Sequence, residues 1–242
     1  MNYIQHIFKN SEETARAVAE LIKEKAIIFD SELRKFNIAL SGGSTPTQLF
    51  QLLANEYETK IPWSVVRFFW VDERCVEPAD SESNYGVTYE NLLKRGFIPK
   101  KNVFRMKGEE IPTEEAKRYS ELLKNELPSQ DEFPVFDLML LGIGDDGHTA
   151  SIFPYNIELL NSVHSVEVSQ HPVSGQKRIT LTGKTICNAD QIIFMTVGAG
   201  KREILREIIN NEPAAQKYPA SFIQNNLGEV EFYMDTLAAK DL

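Results

Sequence analysis

The sequence predicts an α/β protein whose mostly parallel sheet is covered by helices on both faces. Mainly apolar runs with the length of a strand recur at residues 37–40, 65–71, 136–141 and 192–197. Such runs are typical of parallel strands that are buried on both faces. Amphipathic helical segments separate them, as expected of parallel strands joined by crossover helices. We therefore expect a single three-layer α/β/α domain with a Rossmann-like sheet over residues 1–242.

The predicted elements alternate along the chain. Helices are expected at residues 11–30, from Pro46, from Ser83 or Asn84, at about 113–126, from Lys201 and, as a short helix, from 218 onwards. Strands are expected at 37–40, which would be the first, and at 65–71, 103–106, 136–141, 163–168, 178–181, 192–197 and 230–234. Ser11 is a candidate cap of the first helix. The loop at 170–177 is expected to be mobile, with His171 exposed on it rather than acting as a ligand.

Length, charge and cysteine content limit the possible functions. The 242 residues suffice for a substantial core, and the net charge of −9 argues against a surface for nucleic acids or anionic membranes. This charge is compatible with a small anionic substrate, because a few local cations can line a pocket. Cys75 and Cys187 are too few for a disulfide framework and lack the spacing of a metal site. No signal peptide or apolar span of about 18 residues is recognisable, which favours a cytoplasmic protein.

The most informative stretch runs from Phe136 to Pro154. Its first half is apolar, and residues 142–148 then contain three glycines, two aspartates and His148. Ligands of open α/β sheets bind outside the carboxyl ends of the strands, where this loop is expected. An imidazole there can take up and return a proton near neutral pH. The alternative is an ordinary turn with a capping aspartate.

Three other strand ends carry polar residues. Ser41–Thr45 and Gly198–Lys201 are glycine turns that lead into helices, whose N-terminal N–H groups favour anions. Asp72–Arg74 follows a third strand directly. Each strand end also has an alternative interpretation. Ser41–Thr45 could be a tight turn capped by Ser and Thr, Lys201 a surface lysine at a helix start, and Asp72–Arg74 a solvated loop. Taken together, the strand ends supply cations that suit a phosphate and an Asp–His pair that suits a general base.

Several common site types are not found in the sequence. There is no Gly-x-Ser-x-Gly elbow, and the glycine loops match neither the dinucleotide fingerprint nor the Walker loop. His148 has no His or Cys partners at metal-ligand spacing. We therefore expect an enzyme that acts on a phosphorylated small molecule by acid–base chemistry, with no cofactor and no metal.

Five motifs resemble the 6-phosphogluconolactonase family, in the order in which that family has them. They are Ser41–Pro46, Asp72–Arg74, Gly142–Pro154, Arg178–Thr182 and Gly200–Lys201, and Pro219–Ala220 and Met234–Ala239 are also similar. The resemblance covers essentially the whole chain, and its central motif is highly specific. It implies hydrolysis of 6-phospho-D-glucono-1,5-lactone to 6-phospho-D-gluconate in the oxidative pentose phosphate pathway.

The resemblance also implies a role for each candidate residue. His148 would take a proton from the water that attacks C1 and return it to the ring oxygen. Asp146 would orient the imidazole, with Asp145 the less expected partner. Arg74 would lie near the substrate and meet the oxyanion, with Asp72 as a further catalytic candidate. The residues expected to hold the phosphate are Gly42, Gly43, Ser44, Thr45, Arg178 and Lys201.

Two alternative functions remain open at this point. The glucosamine-6-phosphate deaminases share the fold, but their loop carries a catalytic Glu five residues after the His, where this chain has Phe153. A non-catalytic sugar-phosphate sensor would usually add a DNA-binding helix pair, for which we expect no room before residue 37. The expected partner is the phosphorylated lactone, without nucleic acid or membrane. We expect a monomer or a small homo-oligomer.

Overall fold

The computed structural model describes residues 3–226 and 228–242, except for the side chain of Ser44. Its helices in these ranges are α1 (Ser11–Ser31), α2 (Ser44–Glu56), α3 (Asn84–Asn91), α4 (Pro112–Glu126), α5 (Gly183–Cys187) and α6 (Arg202–Ile209). Its strands are β1 (Tyr3–Phe8), β2 (Phe36–Leu40), β3 (Val66–Trp70), β4 (Asp72–Arg74), β5 (Ser129–Gln130), β6 (Phe133–Pro134), β7 (Leu138–Leu141), β8 (Val166–Gln170), β9 (Lys177–Leu181), β10 (Ile192–Thr196) and β11 (Val230–Asp235). Short 3₁₀ segments include Pro154–Asn161, Ala199–Lys201 and Pro219–Phe222.

A six-stranded sheet forms the centre of the fold, in the order β1-β11-β10-β7-β2-β3. All neighbouring strands in it are parallel. Strand β3 lies on one side of β2, whereas β7, β10 and β11 follow each other on its other side. The carboxyl ends of β2 and β7 therefore meet at a topological switch point, which is where ligands of such sheets bind.

Helices cover both faces of this sheet. Leu138 and Leu140 of β7 join a buried cluster with α1 and α2, whereas Met139 and Leu141 join a second cluster with α4 and α6. Full burial of one large apolar side chain contributes about 1.5–3 kcal/mol. The two clusters hold the strand ends in place, and the predicted three-layer α/β/α arrangement with a mostly parallel sheet is confirmed.

A smaller antiparallel sheet has the order β4-β9-β8. Residues Asp72–Arg74 form strand β4 rather than the solvated loop that was the alternative interpretation. In this sheet Asp72 is paired with Thr180, and Arg74 with Arg178. The pairing depends on a segment about a hundred residues later in the chain, so no local pattern predicts it.

The short strands β4, β5 and β6 were not predicted, and three further strand predictions need correction. Strand β1 was not predicted, so residues 37–40 are not the first strand; β1 lies at the edge of the sheet and is partly exposed. The predicted strand at 103–106 is reduced to a single bridge between Phe68 and Val103. Strand β8 begins at Val166 rather than at residue 163. Edge positions and short bridges carry weak patterns, because few of their residues face a core.

The predicted helices are found, with the one from 218 as a 3₁₀ segment and with one correction at a cap, whereas α5 was not predicted. Asn10, not Ser11, caps α1, since its side-chain oxygen accepts a hydrogen bond from the backbone N–H of Glu13 at 2.9 Å. The loop at 170–177 contains the turn of a hairpin that joins strands β8 and β9. The expected mobility of this loop stays a prediction. In the described part of the chain, no helix combines the length and the apolar character needed to cross a membrane.

Candidate active site

A cavity of about 220 Å³ opens at the switch point of the parallel sheet. Its lining brings together most of the candidate residues: Gly42, Gly43, Thr45, Asp72, Arg74, His148, Arg178 and Lys201. Asp146 is absent from the lining but contacts His148. Ser44 is the first residue of α2, and its side chain lies outside the described part. The strand ends that the sequence singled out thus meet at one cavity, and their role as a site stays a prediction.

His148 is held in a fixed orientation by Asp146. Its Nδ1 lies 2.5 Å from Oδ1 of Asp146, which also accepts the backbone N–H of His148 at 3.2 Å. Burial raises the pKa of the Asp146 carboxyl, but its contacts with His148 outweigh this and lower the pKa below its ordinary value. With Nδ1–H directed at a carboxylate, Nε2 is left as the proton acceptor. The pair has the arrangement of a general base.

Two glycines of this loop allow the imidazole to take its place. Gly147 has φ +80°, which L side chains rarely adopt. A Cβ atom on Gly144 would lie 2.1 Å from Nδ1 and Cε1 of His148. Gly144 therefore provides space for the ring, which the sequence pattern alone did not show.

Two arginines from the small sheet line the cavity together. Arg74 and Arg178 are paired across strands β4 and β9, and Arg178 is only 8% exposed. The Nε atoms of both are buried without a hydrogen-bond partner among the described residues. Burial and the neighbouring Arg74 lower the pKa of Arg178. Two adjacent cations, Arg178 buried and Arg74 half-buried, favour an anionic ligand.

A third cation comes from the helix that follows β10. Lys201 ends the 3₁₀ segment before α6, and its Nζ contacts Oδ1 of Asp145 at 2.5 Å. The sequence favoured Asp146 over Asp145 as the partner of His148. In the structure Asp146 contacts the imidazole, and Asp145 contacts Lys201 instead. The two adjacent carboxylates of the loop therefore have different partners.

Asp72 lies deeper than the other candidates, with only 4% of its surface exposed. Its Oδ2 accepts the hydroxyl of Ser151 at 2.7 Å, and its Oδ1 accepts the amide of Asn84 at 3.1 Å. These contacts fix the carboxylate at the floor of the cavity. Its predicted catalytic role stays a prediction, and the same geometry suits a positioning role.

Sequence reasoning missed Asn84 and gave no role to Glu73. Asn84 lines the cavity, and a Cβ atom on Gly42 would lie 1.8 Å from its side-chain oxygen. The Glu73 carboxylate accepts the backbone N–H groups of Arg74, Asn84 and Tyr85 at 2.7, 2.7 and 2.8 Å, respectively. It thereby joins strand β4 to the start of helix α3. The only signal in the sequence was the predicted helix start at Ser83 or Asn84.

Phe153 and His171 form an aromatic group beside His148. The fully buried Phe153 ring lies 4.7 Å from the His148 ring and 5.4 Å from the His171 ring, measured between centroids. His171 is half-buried rather than exposed as predicted, because the hairpin turn packs its ring edge-on against Phe153. Burial, together with the nearby Arg178, lowers the pKa of His171.

Comparison with known proteins matches residues 9–232 to the family described as glucosamine-6-phosphate isomerases/6-phosphogluconolactonase. The chain is similar to a 6-phosphogluconolactonase of Treponema pallidum, at 42% identity over 87% of this chain and 86% of that protein. It is 38% identical to that of Haemophilus influenzae over 99% of both chains. The solved 6-phosphogluconolactonase of Trypanosoma brucei superposes with a TM-score of 0.83 at 29% identity, over 100% of this chain and 99% of that one. The match extends through every strand end that forms the cavity, and the chain belongs to the family of glucosamine-6-phosphate isomerases and 6-phosphogluconolactonases.

Proposed function

We propose that this protein is a 6-phosphogluconolactonase, which hydrolyses 6-phospho-D-glucono-1,5-lactone to 6-phospho-D-gluconate in the oxidative pentose phosphate pathway. One observation carries the proposal: the imidazole held by Asp146 lines the same cavity as Arg74, Arg178 and Lys201. A positioned base and several cations suit the hydrolysis of an ester that carries a phosphate. The similar proteins of T. pallidum and H. influenzae are named for this activity.

His148 serves as the general base in this mechanism. Its Nε2 takes a proton from a water molecule while the water oxygen attacks C1 of the lactone. The resulting imidazolium is stabilised by the Asp146 carboxylate at Nδ1. It then returns the proton to the ring oxygen as the bond between C1 and that oxygen breaks. The product is the open-chain acid, which ionises in water, and His148 is ready for another turnover.

The negative charge that develops on the carbonyl oxygen bonded to C1 needs stabilisation. By resemblance Arg74 is the candidate for this role; it lines the cavity, and its Nη1 donates to the carbonyl of Glu82 at 2.8 Å. Asp72 accepts hydrogen bonds from Ser151 and Asn84, so it shapes the floor against which the substrate rests. A donor that is already in place, such as the guanidinium of Arg74, lowers the activation barrier because it needs no reorientation during the reaction.

The phosphate is held by the backbone at the start of α2 together with two cations. Gly42, Gly43 and Thr45 lie at the N-terminus of α2, where free N–H groups attract an anion. Arg178 and Lys201 add positive charge from other elements that line the same cavity. Binding the phosphate away from C1 positions the lactone for attack.

The two alternative functions are less supported. A deaminase needs a further acid–base group in the loop, and the buried phenyl ring of Phe153 occupies that position and can transfer no proton. A non-catalytic sensor has no need of an imidazole oriented by a carboxylate, whereas His148 and Asp146 form that pair here.

Domain organisation, location and assembly are part of the same proposal. A single domain over residues 1–242 is supported by the pairing of β1 with β11, which joins distant parts of the chain in one sheet. A cytoplasmic location is supported by two free cysteines, since disulfides are rare in reducing compartments. A monomer or small homo-oligomer stays a prediction that light scattering can test.

The decisive experiment measures turnover of freshly prepared 6-phosphogluconolactone by the purified protein, with spontaneous hydrolysis subtracted. We expect a rate well above background. We also expect the rate to persist in EDTA, because the described residues contain no group of three or more potential metal ligands. Glucosamine 6-phosphate should release no ammonia. Ammonia release at comparable efficiency would reverse the assignment, and loss of activity in EDTA would overturn the metal-free mechanism.

A further inference from the structure

Asp145 contacts Lys201, a cation of the cavity that stands at the start of a helix. Its Oδ1 lies 2.5 Å from Nζ of Lys201, and it is the only hydrogen-bond acceptor of that ammonium among the described residues. The Asp145 side chain is 88% exposed, whereas that of Lys201 is 24% exposed. The carboxylate therefore approaches the ammonium from the solvent side.

The proposed function assigns Lys201 to the phosphate of the substrate, and this inference rests on that assignment. A phosphate monoester carries about two negative charges at neutral pH. An ammonium that already holds a carboxylate has to exchange it for the phosphate or share its charge between the two. Two anions at one cation repel each other, so Asp145 opposes binding of the phosphate.

We propose that Asp145 competes with the substrate phosphate for Lys201 and thereby sets the affinity of the site for phosphorylated ligands. The phosphate displaces the carboxylate, which moves into solvent without crossing the cavity because it is almost fully exposed. When the product leaves, the carboxylate returns to the ammonium. Asp145 thus weakens the binding of every phosphorylated ligand, including the product.

A purely structural role for Asp145 makes the opposite prediction. The contact also links the turn at residues 144–147 to the start of α6, and this turn positions His148. If the link served to hold the turn, its removal would weaken binding and slow turnover. If Asp145 competes with phosphate, its removal strengthens the binding of phosphorylated ligands.

The test measures dissociation constants of inorganic phosphate and 6-phosphogluconate by calorimetry at low salt. The proteins are the unchanged chain, Asp145→Asn, Lys201→Met and the double variant. Exposed ion pairs are weak, so we expect Asp145→Asn to bind both ligands about 2- to 5-fold more tightly. In the Lys201→Met background the same substitution should change affinity by less than about 1.5-fold. Unphosphorylated gluconate should show no gain.

The control variant is Glu203→Gln, which removes an equal charge from an exposed residue two positions after Lys201. We expect it to leave the affinity for phosphate unchanged. Weaker or equal binding by Asp145→Asn, or a gain that persists without Lys201, would overturn the proposal. Failure of the proposed function would be seen separately, as absence of lactone hydrolysis in a protein that still binds phosphate.

Discussion

The cavity has two walls that differ in how their polar groups are held. The buried wall consists of Asp72, Asn84 and Arg178, together with Glu73, which holds Asn84 from outside the lining; all four are less than 10% exposed. The exposed wall consists of His148 and Lys201, together with Asp146 and Asp145, which contact them from outside the lining; these four side chains are 24% to 88% exposed. On the buried wall each carboxylate accepts several donors, whereas on the exposed wall each carboxylate contacts a single partner side chain.

The difference shows how one site can keep a fixed shape and still transfer protons and exchange ligands. Buried polar groups that lose a partner are costly, so the buried wall keeps one arrangement. Exposed ion pairs are worth little and can exchange partners, which proton transfer and phosphate binding both require. We therefore expect substitutions in the buried wall to affect stability first, and substitutions in the exposed wall to affect activity first.

The largest expected effect is on the exposed wall, at His148. His148→Ala should lower kcat by roughly 10²- to 10⁴-fold, the usual contribution of a positioned acid–base group, with little change in KM. Steady-state kinetics on the lactone measure it. The urea-unfolding midpoint of the variant should equal that of the unchanged protein within error. An unimpaired kcat in the folded variant would remove His148 from the mechanism.

The strongest test of the buried wall is Glu73. Glu73→Ala should lower the free energy of unfolding by at least about 2 kcal/mol, because three backbone N–H groups lose their acceptor and each costs about 1–3 kcal/mol. Urea unfolding at pH 7 measures the change. The matched control is Asp145→Ala, which removes the same charge from the exposed wall and should cost less than about 1 kcal/mol. Equal costs would abolish the distinction between the walls.

Lys201 tests whether the exposed wall recognises phosphate. Lys201→Ala should lower kcat/KM by roughly 10- to 100-fold, since a charge-assisted hydrogen bond contributes about 1.5–3 kcal/mol. The same variant assayed on unphosphorylated gluconolactone is the control, and its loss there should be far smaller. Losses of similar size on both substrates would show that Lys201 does not hold the phosphate.

The smallest effect concerns the stability contributed by Asp146. Because contact with His148 lowers the pKa of this carboxyl, its contribution is present above the ordinary pKa of about 4 and is lost as the pH falls through the lowered value. The difference in unfolding free energy between the unchanged protein and Asp146→Asn should therefore shrink below about pH 4, and should stay under about 1 kcal/mol throughout. Urea melts between pH 3 and pH 7 measure it. If the difference in unfolding free energy grew as the pH falls, it would contradict the lowered pKa of Asp146.

The sequence predicted most of the central fold and the place of the site, for a physical reason. Buried parallel strands are apolar on both faces, so β3, β7 and β10 stand out, and their polar ends must meet at one edge of the sheet. The edge strand β1 and the short strand β4 depend on pairing with distant segments, which leaves little trace in the local pattern.

The contacts within the site were harder to predict than its location. Asp145 and Asp146 are adjacent and chemically identical, and only the geometry of the turn gives one to Lys201 and the other to His148. Asn84 enters the cavity because Glu73 fixes the start of α3, a link between two segments that the sequence keeps apart. Which partner each of these side chains contacts depends on the path of the backbone, which the residue types alone do not determine.

The pairing of β1 with β11 has a consequence for how the molecule is assembled during synthesis. His6 and Glu231 are bonded across these strands although 225 positions separate them in the chain. Strand β1 leaves the ribosome long before its neighbour exists, and closing so large a loop is slow. The β10 edge of the sheet also stays open until β11 is made. A nascent chain that lacks β11 therefore exposes one free strand and one unpaired sheet edge, which are features that promote aggregation of partly folded chains.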